Sequence, residues 1–149
     1  MLLLYYNKHR KARGFAKKVK GGDAMQQKNT QTEEAIIPRT PPISRLAQWP
    51  CQLSLVPVNA PYFDGASLLI AADCTAYACA GFHQDFMRGH ITLIACPRLD
   101  GVDHTQKLTE ILTENDVKHM TLVRMEVPCC NGMETAVRQA IRASGKPIP

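Results

Sequence analysis

Residues 67–96 read SLLIAADCTAYACAGFHQDFMRGHITLIAC, and this stretch decides the fold. SLLIAAD (67–73) is a near-continuous apolar run, as expected of a strand buried on both faces. TAYACAGFHQDFM (75–87) is alanine-rich, with Phe82 and Phe86 at helical spacing, and predicts a helix ended by Arg88-Gly89. HITLIAC (90–96) is a second apolar run of strand length. Strand, helix and strand in that order predict two parallel strands joined by a right-handed crossover.

The pattern continues outward on both sides. HTQKLTEILTEN (104–115) places Leu108, Ile111 and Leu112 on one helical face. HMTLVRMEV (119–127) reads as a strand. NGMETAVRQAIRAS (131–144) reads as a helix, with Asn131 as N-cap, Glu134 completing a capping box, and Met133, Val137, Ala140 and Ile141 on the buried face. Gly145 and Pro147 close it. Upstream, QLSLVPV (52–58) alternates as a short strand, followed by the loop NAPYFDGAS. The expectation is an α/β fold, Rossmann-like or flavodoxin-like: a three-layer parallel sheet of about four strands with flanking helices. A further strand would be the natural element after GKPIP (145–149), so the sheet reads as truncated there.

Charge divides the chain of 149 residues unequally. The net charge of +5 comes from residues 1–20, which hold seven Lys/Arg and no acid. Residues 51–149 hold eight Lys/Arg against ten Asp/Glu, a balance of −2. Residues 1–46 are polar and aperiodic and end in the proline-rich PRTPPISR, which predicts a disordered basic tail and linker before a domain at 47–149. The tail reads first as a solvated segment; nucleic acid or another polyanion is expected only as a non-specific contact of it, and no RNA-binding signature sharpens that. MLLLYY is too short for a signal-peptide core, and its positive charges follow it. No apolar run approaches the roughly 20 residues of a membrane helix. The expected location is the reducing cytoplasm, where grouped cysteines serve as ligands or redox groups more often than as disulfides.

Three of the six cysteines stand just past strand-like runs: Cys74, Cys96 and Cys129, the last followed at once by Cys130. Parallel strands would bring these positions to one edge, where sites of such sheets form. A single cysteine reads as a small buried hydrophobe. Three at equivalent strand ends point to a metal, cluster or redox site, with thiolates favoured at the starts of the following helices. The close CxxC pairs of zinc sites and the four-cysteine ferredoxin run are both absent, so the fold must assemble any such site. Adjacent Cys129 and Cys130 point different ways, so Cys130 is an alternate to Cys129 rather than a second ligand. Cys79, inside the first helix, reads as core, and Cys51 as structural. Asp73 is expected to cap the helix after it, and His83 to be a satisfied surface histidine. Asp100 and Asp103 read as loop and N-cap residues, and Glu126 is expected to pair with a cation. No Walker A, GxGxxG, GxSxG or HExxH sequence supports nucleotide or hydrolase chemistry.

From about Leu46 to Pro149 the chain resembles the C-terminal domain of a group of anaerobic bacterial ferredoxin-like iron–sulfur proteins. The matching segments are LAQWPCQLSLVPVNAPYFDGASLLIAADCTAYA, LIACPRLD, KLTEILTENDVKHMTLVRMEVPCCNGMETAVRQAI and SGKPIP. In that group a ferredoxin module carrying four-cysteine motifs precedes this domain. Residues 1–45 here contain no cysteine. The resemblance implies the α/β domain and its positions Cys74, Cys96, Cys129 and Cys130, and does not carry over electron transfer through the clusters of the ferredoxin module. The expectation for this chain is an iron–sulfur-associated redox or electron-transfer domain, not itself an enzyme, with a 4Fe-4S cluster as cofactor. Cys74, Cys96 and Cys129 would be ligands, with Cys130 as alternate. A separate ferredoxin or other redox protein is the implied partner. An exposed sheet edge would also favour a homodimer. The alternatives are a metal-free thiol site, either redox or nucleophilic, and a non-catalytic interaction domain.

Overall fold

A computed structural model describes residues 42–149 together with the strand Leu3–Tyr6. The elements run β1 (Leu3–Tyr6), β2 (Ser67–Ala72), α1 (Thr75–Ala78), β3 (Ile91–Ala95), α2 (Thr105–Glu114), β4 (His119–Met125) and α3 (Asn131–Ser144). Short 3-10 turns lie at Pro61–Phe63 and Pro128–Cys130, and a single π turn at His83–Met87.

The strand order is β1-β4-β2-β3. β2 pairs in parallel with β3 on one side, with Ala72 opposite Ala95, and with β4 on the other, with Ala71 opposite Val123. Alternation sorts the side chains into two layers. Leu68, Ile70, Leu93, Ala95, Met120 and Leu122 face the layer built by α2 and α3, against Leu108, Ile111, Leu112, Met133 and Val137. Leu69, Ala71 and Val123 face the other layer, against Phe82 and Met87. The α/β class and the flanking helices stand as the periodicity predicts. Among the described residues no helix is long and apolar enough to cross a membrane.

Four local expectations are corrected. First, QLSLVPV is not a strand. Gln52 makes one parallel bridge to Ile94, and the chain then turns, with the N–H groups of Leu55 and Val56 both on Gln52 O. The turn is what buries Leu53 and Val56 together, three residues apart, and Pro57 has no N–H to continue a ladder. The fourth strand of the sheet is instead β1, antiparallel to β4 from Leu3–Met125 to Tyr6–Leu122.

That strand also qualifies the expected tail: Leu3–Tyr6 is part of the sheet, while residues 7–41 lie outside the described residues. Second, residues 75–87 are not one helix. α1 is a single turn, Cys79 is extended (φ −122°, ψ 103°), and the π turn follows. Ala76, Tyr77, Ala78 and Ala80 are exposed, so helix propensity alone would have to hold this stretch, and a helix this short needs packing. The packing comes later, from Phe82, Phe86 and Met87.

Third, Asn131 is the first helical residue and not the cap; Cys130 precedes it without a side-chain capping bond. Glu134 is drawn away by stronger charge-assisted partners, Arg124 at 2.6 Å and Arg138 at 2.8 Å. Gly145 ends α3 in the left-handed region (φ 68°), as its place after the helix predicts. Fourth, Asp73 does not cap α1, which has no side-chain cap. The Thr75 hydroxyl holds that corner by donating to Ala72 O at 2.7 Å.

Candidate functional site at the carboxyl edge of the sheet

From β2 the chain first steps to β3 on one side, then crosses β2 to reach β4 on the other. The segment after β2 covers one face, and the helix after β4 covers the opposite one. The connections therefore leave β2 and β4 on opposite faces, the topological switch at whose carboxyl ends open α/β sheets bind ligands. Cys74 follows β2 at this point, and Cys129 and Cys130 follow β4.

The three thiols differ in exposure. Cys74 and Cys129 are exposed, while Cys130 is buried beside Ala72 and Met125. Burial pushes the Cys130 thiol up, and the Cys129 and Cys74 sulfurs push the same way, against a hydrogen bond with the Met125 backbone. Cys130 is thus a buried packing group. The single turn of α1 is too short to lend Cys74 a helix field.

Cys96 is half-buried on the next strand end. Its carbonyl accepts the N–H groups of Leu99 and Asp100, closing Cys96–Asp100 into a tight turn. A Cβ on Gly132 would stand 3.3 Å from Pro97 Cβ, so this turn leans across the edge onto the start of α3. Only glycine permits that approach without a shift.

Asp100 is the hub beneath the turn. Its Oδ2 accepts the Cys96 N–H at 2.9 Å and meets His104 Nε2 at 2.8 Å. Its Oδ1 accepts the Gln52 amide at 3.2 Å. His104 is 2% exposed. Asp73 lies within the field of both: burial raises its pKa, the Asp100 charge raises it further, and His104 opposes. Its Oδ1 is buried without a hydrogen bond among the described residues. Reading the residues one by one found Asp100 as a loop residue but missed this network. The available signal was the spacing Cys96, Asp100, His104, two successive steps of four. Asp103 is not the N-cap of α2, which is His104 without a side-chain capping bond; from one residue further out its Oδ1 accepts the Thr105 N–H at 2.9 Å. His83 is satisfied, its Nδ1 accepting the Arg45 N–H at 3.1 Å. Cys79 packs partly buried on the layer of Phe82, and Cys51 serves through its carbonyl, which accepts the Ile94 N–H.

Soft thiolates suit iron–sulfur clusters or zinc. Three chain segments end in such donors at this edge, Cys74, Cys96 and Cys129. The geometry within one chain is open: among the described residues no group of three or more His, Cys, Asp or Glu side chains is placed to hold a metal ion.

The model of a Rossmann-like domain matches residues 60–149. An uncharacterized protein of Archaeoglobus fulgidus is 30% identical over 105 residues, covering 70% of this chain and 74% of that protein. No solved structure matches the chain at a significant level.

Proposed function

This chain belongs to the Rossmann-like domain family, and from that premise we propose that its carboxyl edge is a thiolate site serving an iron–sulfur cluster in electron transfer. The observation that carries the reading is the placement of Cys74 and Cys129, two exposed thiols at adjacent strand ends of the switch point. The segments ADC, CPRLD and VPCC resemble the domain that follows the ferredoxin module in ferredoxin-like iron–sulfur proteins, and the cofactor proposed for this edge is a 4Fe-4S cluster. Cys96 stands on the flanking strand as a further donor. Cys130, buried and packed beside Ala72 and Met125, shields the inner side. A bound cluster would exchange single electrons with a ferredoxin or another redox partner, and the chain's own task would be to hold it and shape its surroundings.

Anaerobic reconstitution with ferrous iron and sulfide tests this. Iron and acid-labile sulfide should be retained by the wild-type chain and lost in a Cys74→Ser/Cys129→Ser double variant. Equal iron content in both, or none in either, refutes the reading.

The open geometry favours one second reading. Two exposed thiols that both act on Cys130 could form a reversible disulfide, releasing two electrons and two protons to a thiol–disulfide partner. In that case metal-free protein would show a two-electron midpoint, and alkylation of Cys74 or Cys129 would abolish it.

A further inference from the structure

We propose that His83 is a proton-operated latch: its neutral ring holds residues 42–47 against the domain, and a proton on the ring lets them go. One hydrogen bond carries this, between positions 38 residues apart. The Arg45 N–H donates to His83 Nδ1 at 3.1 Å, in a half-buried setting. A ring nitrogen accepts only while it carries no proton, so the bond requires the neutral ring with its proton on Nε2. A proton added at Nδ1 turns the acceptor into a donor. Two N–H groups then face each other, and the contact is lost along with the bond. Imidazole is the side chain whose charge changes between about pH 5 and about pH 8.

The held segment is poised to leave. Arg45 Nε is buried with no hydrogen-bond partner among the described residues, which opposes closure. Residues 42–44 are exposed, and the Leu46 N–H bonds only to the neighbouring Ser44 Oγ, at 3.3 Å. Leu46 supplies the apolar hold, packed on the layer of Leu69, Phe82 and Met87. His83 also opens the single π turn, its carbonyl accepting the Arg88 N–H at 3.1 Å. Such turns are rare and recur at functional sites.

The charged groups on the elements that meet here are Arg45 on the segment, and Asp85 and Arg88 on the turn, with His90 just beyond. The strands behind contribute Leu69, Ala71, Ile94 and Val123, none of them charged. His90 behaves oppositely to His83. Its Nδ1 donates to Arg88 O at 3.1 Å, a bond that protonation leaves intact. Release is bounded on the other side. Gln48 is clamped to the Thr92 backbone, and the Cys51 carbonyl and Leu53 N–H pair with Ile94, all without a titrating group. Acid therefore frees residues 42–47 and uncovers the apolar layer under Leu46, while the ribbon along β3 stays in place.

Amide exchange of the full chain, corrected for the intrinsic pH dependence of exchange, tests this. From about pH 8 to about pH 5, exchange at Arg45 should accelerate roughly tenfold, the scale of one hydrogen bond, with Leu53 and Ile94 unchanged. The midpoint should coincide with the titration of the His83 ring followed by NMR. His83→Gln offers an acceptor that does not titrate and should hold the segment at both ends of the range. His83→Leu offers none and should release it at both, with the circular dichroism spectrum unchanged. An Arg45 rate indifferent to pH in the wild-type chain overturns the latch, as does a pH response that survives in His83→Gln. Equal acceleration at Leu53 and Ile94 also overturns it, since the whole flank would then be loosening.

Discussion

Asp100 shows how much one carboxylate can organise. It receives the Cys96 N–H, the Gln52 amide and the buried His104, and so ties the loop after β3 to the start of α2. Asp73, on the neighbouring strand end, is its counterpart in deficit: partly buried, close to the Asp100 charge, with Oδ1 unbonded. A carboxyl whose pKa is raised by folding binds its proton more tightly in the folded state than in the unfolded one. Its contribution to stability is whole below the ordinary carboxylate range and is lost as pH rises through the raised value. At neutral pH Asp73 therefore opposes folding. Asp73→Asn should be more stable than wild type at neutral pH, with the advantage shrinking as pH falls toward and below the ordinary range. Urea unfolding at a series of pH values checks this, and a pH-independent difference would contradict it. Glu134 has the opposite sign: the Arg138 hydrogen bond, then Arg124, hold its pKa below the usual range, so its contribution fades as pH falls through that lowered value.

Among the elements, the segment before the first turn has an unexpected task. Residues 48–53 lie along the free side of β3 and finish its hydrogen bonding. Cys51 O accepts the Ile94 N–H and Leu53 N donates to Ile94 O, both at 2.9 Å. Gln48 completes the row with its side chain, which acts like a peptide group: its amide donates to Thr92 O, and its Oε1 accepts the Thr92 N–H at 3.4 Å. Thr92 is 1% exposed, so its backbone has no access to water as a substitute. Gln48→Ala should therefore cost about 1–3 kcal/mol, the scale of leaving buried backbone groups unpaired. Gln48→Glu should also destabilise, since a carboxylate cannot donate to Thr92 O. Chemical denaturation measures both, and amide exchange at Thr92 should accelerate in each.

For the whole molecule, the two flanks of the sheet are protected differently. On the β3 flank a loop and one side chain do the work. On the β4 flank β1 does it, pairing antiparallel along Leu122–Met125. Removing residues 1–6 would uncover the β4 backbone as an open edge, which templates strand addition by other chains. The shortened protein should show faster amide exchange in β4 and concentration-dependent aggregation, with α2 and α3 still packed on the opposite layer. Hydrogen exchange and light scattering report on the two effects.

Residues 67–96 were enough to establish the parallel α/β class, because a doubly buried strand must be apolar throughout and a crossover must return in one hand. Helices α2 and α3 were legible from their apolar faces, since local periodicity and burial agree there. Local signals could not separate QLSLVPV from a strand: Leu53 and Val56 are buried by a turn whose strand-like pairing is with Ile94, far along the chain. Nor could they show that MLLLYY holds a strand, because its partner is β4, at the other end of the domain. The sequence placed Cys74, Cys96, Cys129 and Cys130 at strand ends. Only the tertiary structure decided that Cys74 and Cys129 face outward while Cys130 turns in and Cys96 is tied beneath its own loop. Chain position sets which strand a residue follows, whereas exposure depends on what neighbouring strands and the Pro97–Gly132 contact bring against it.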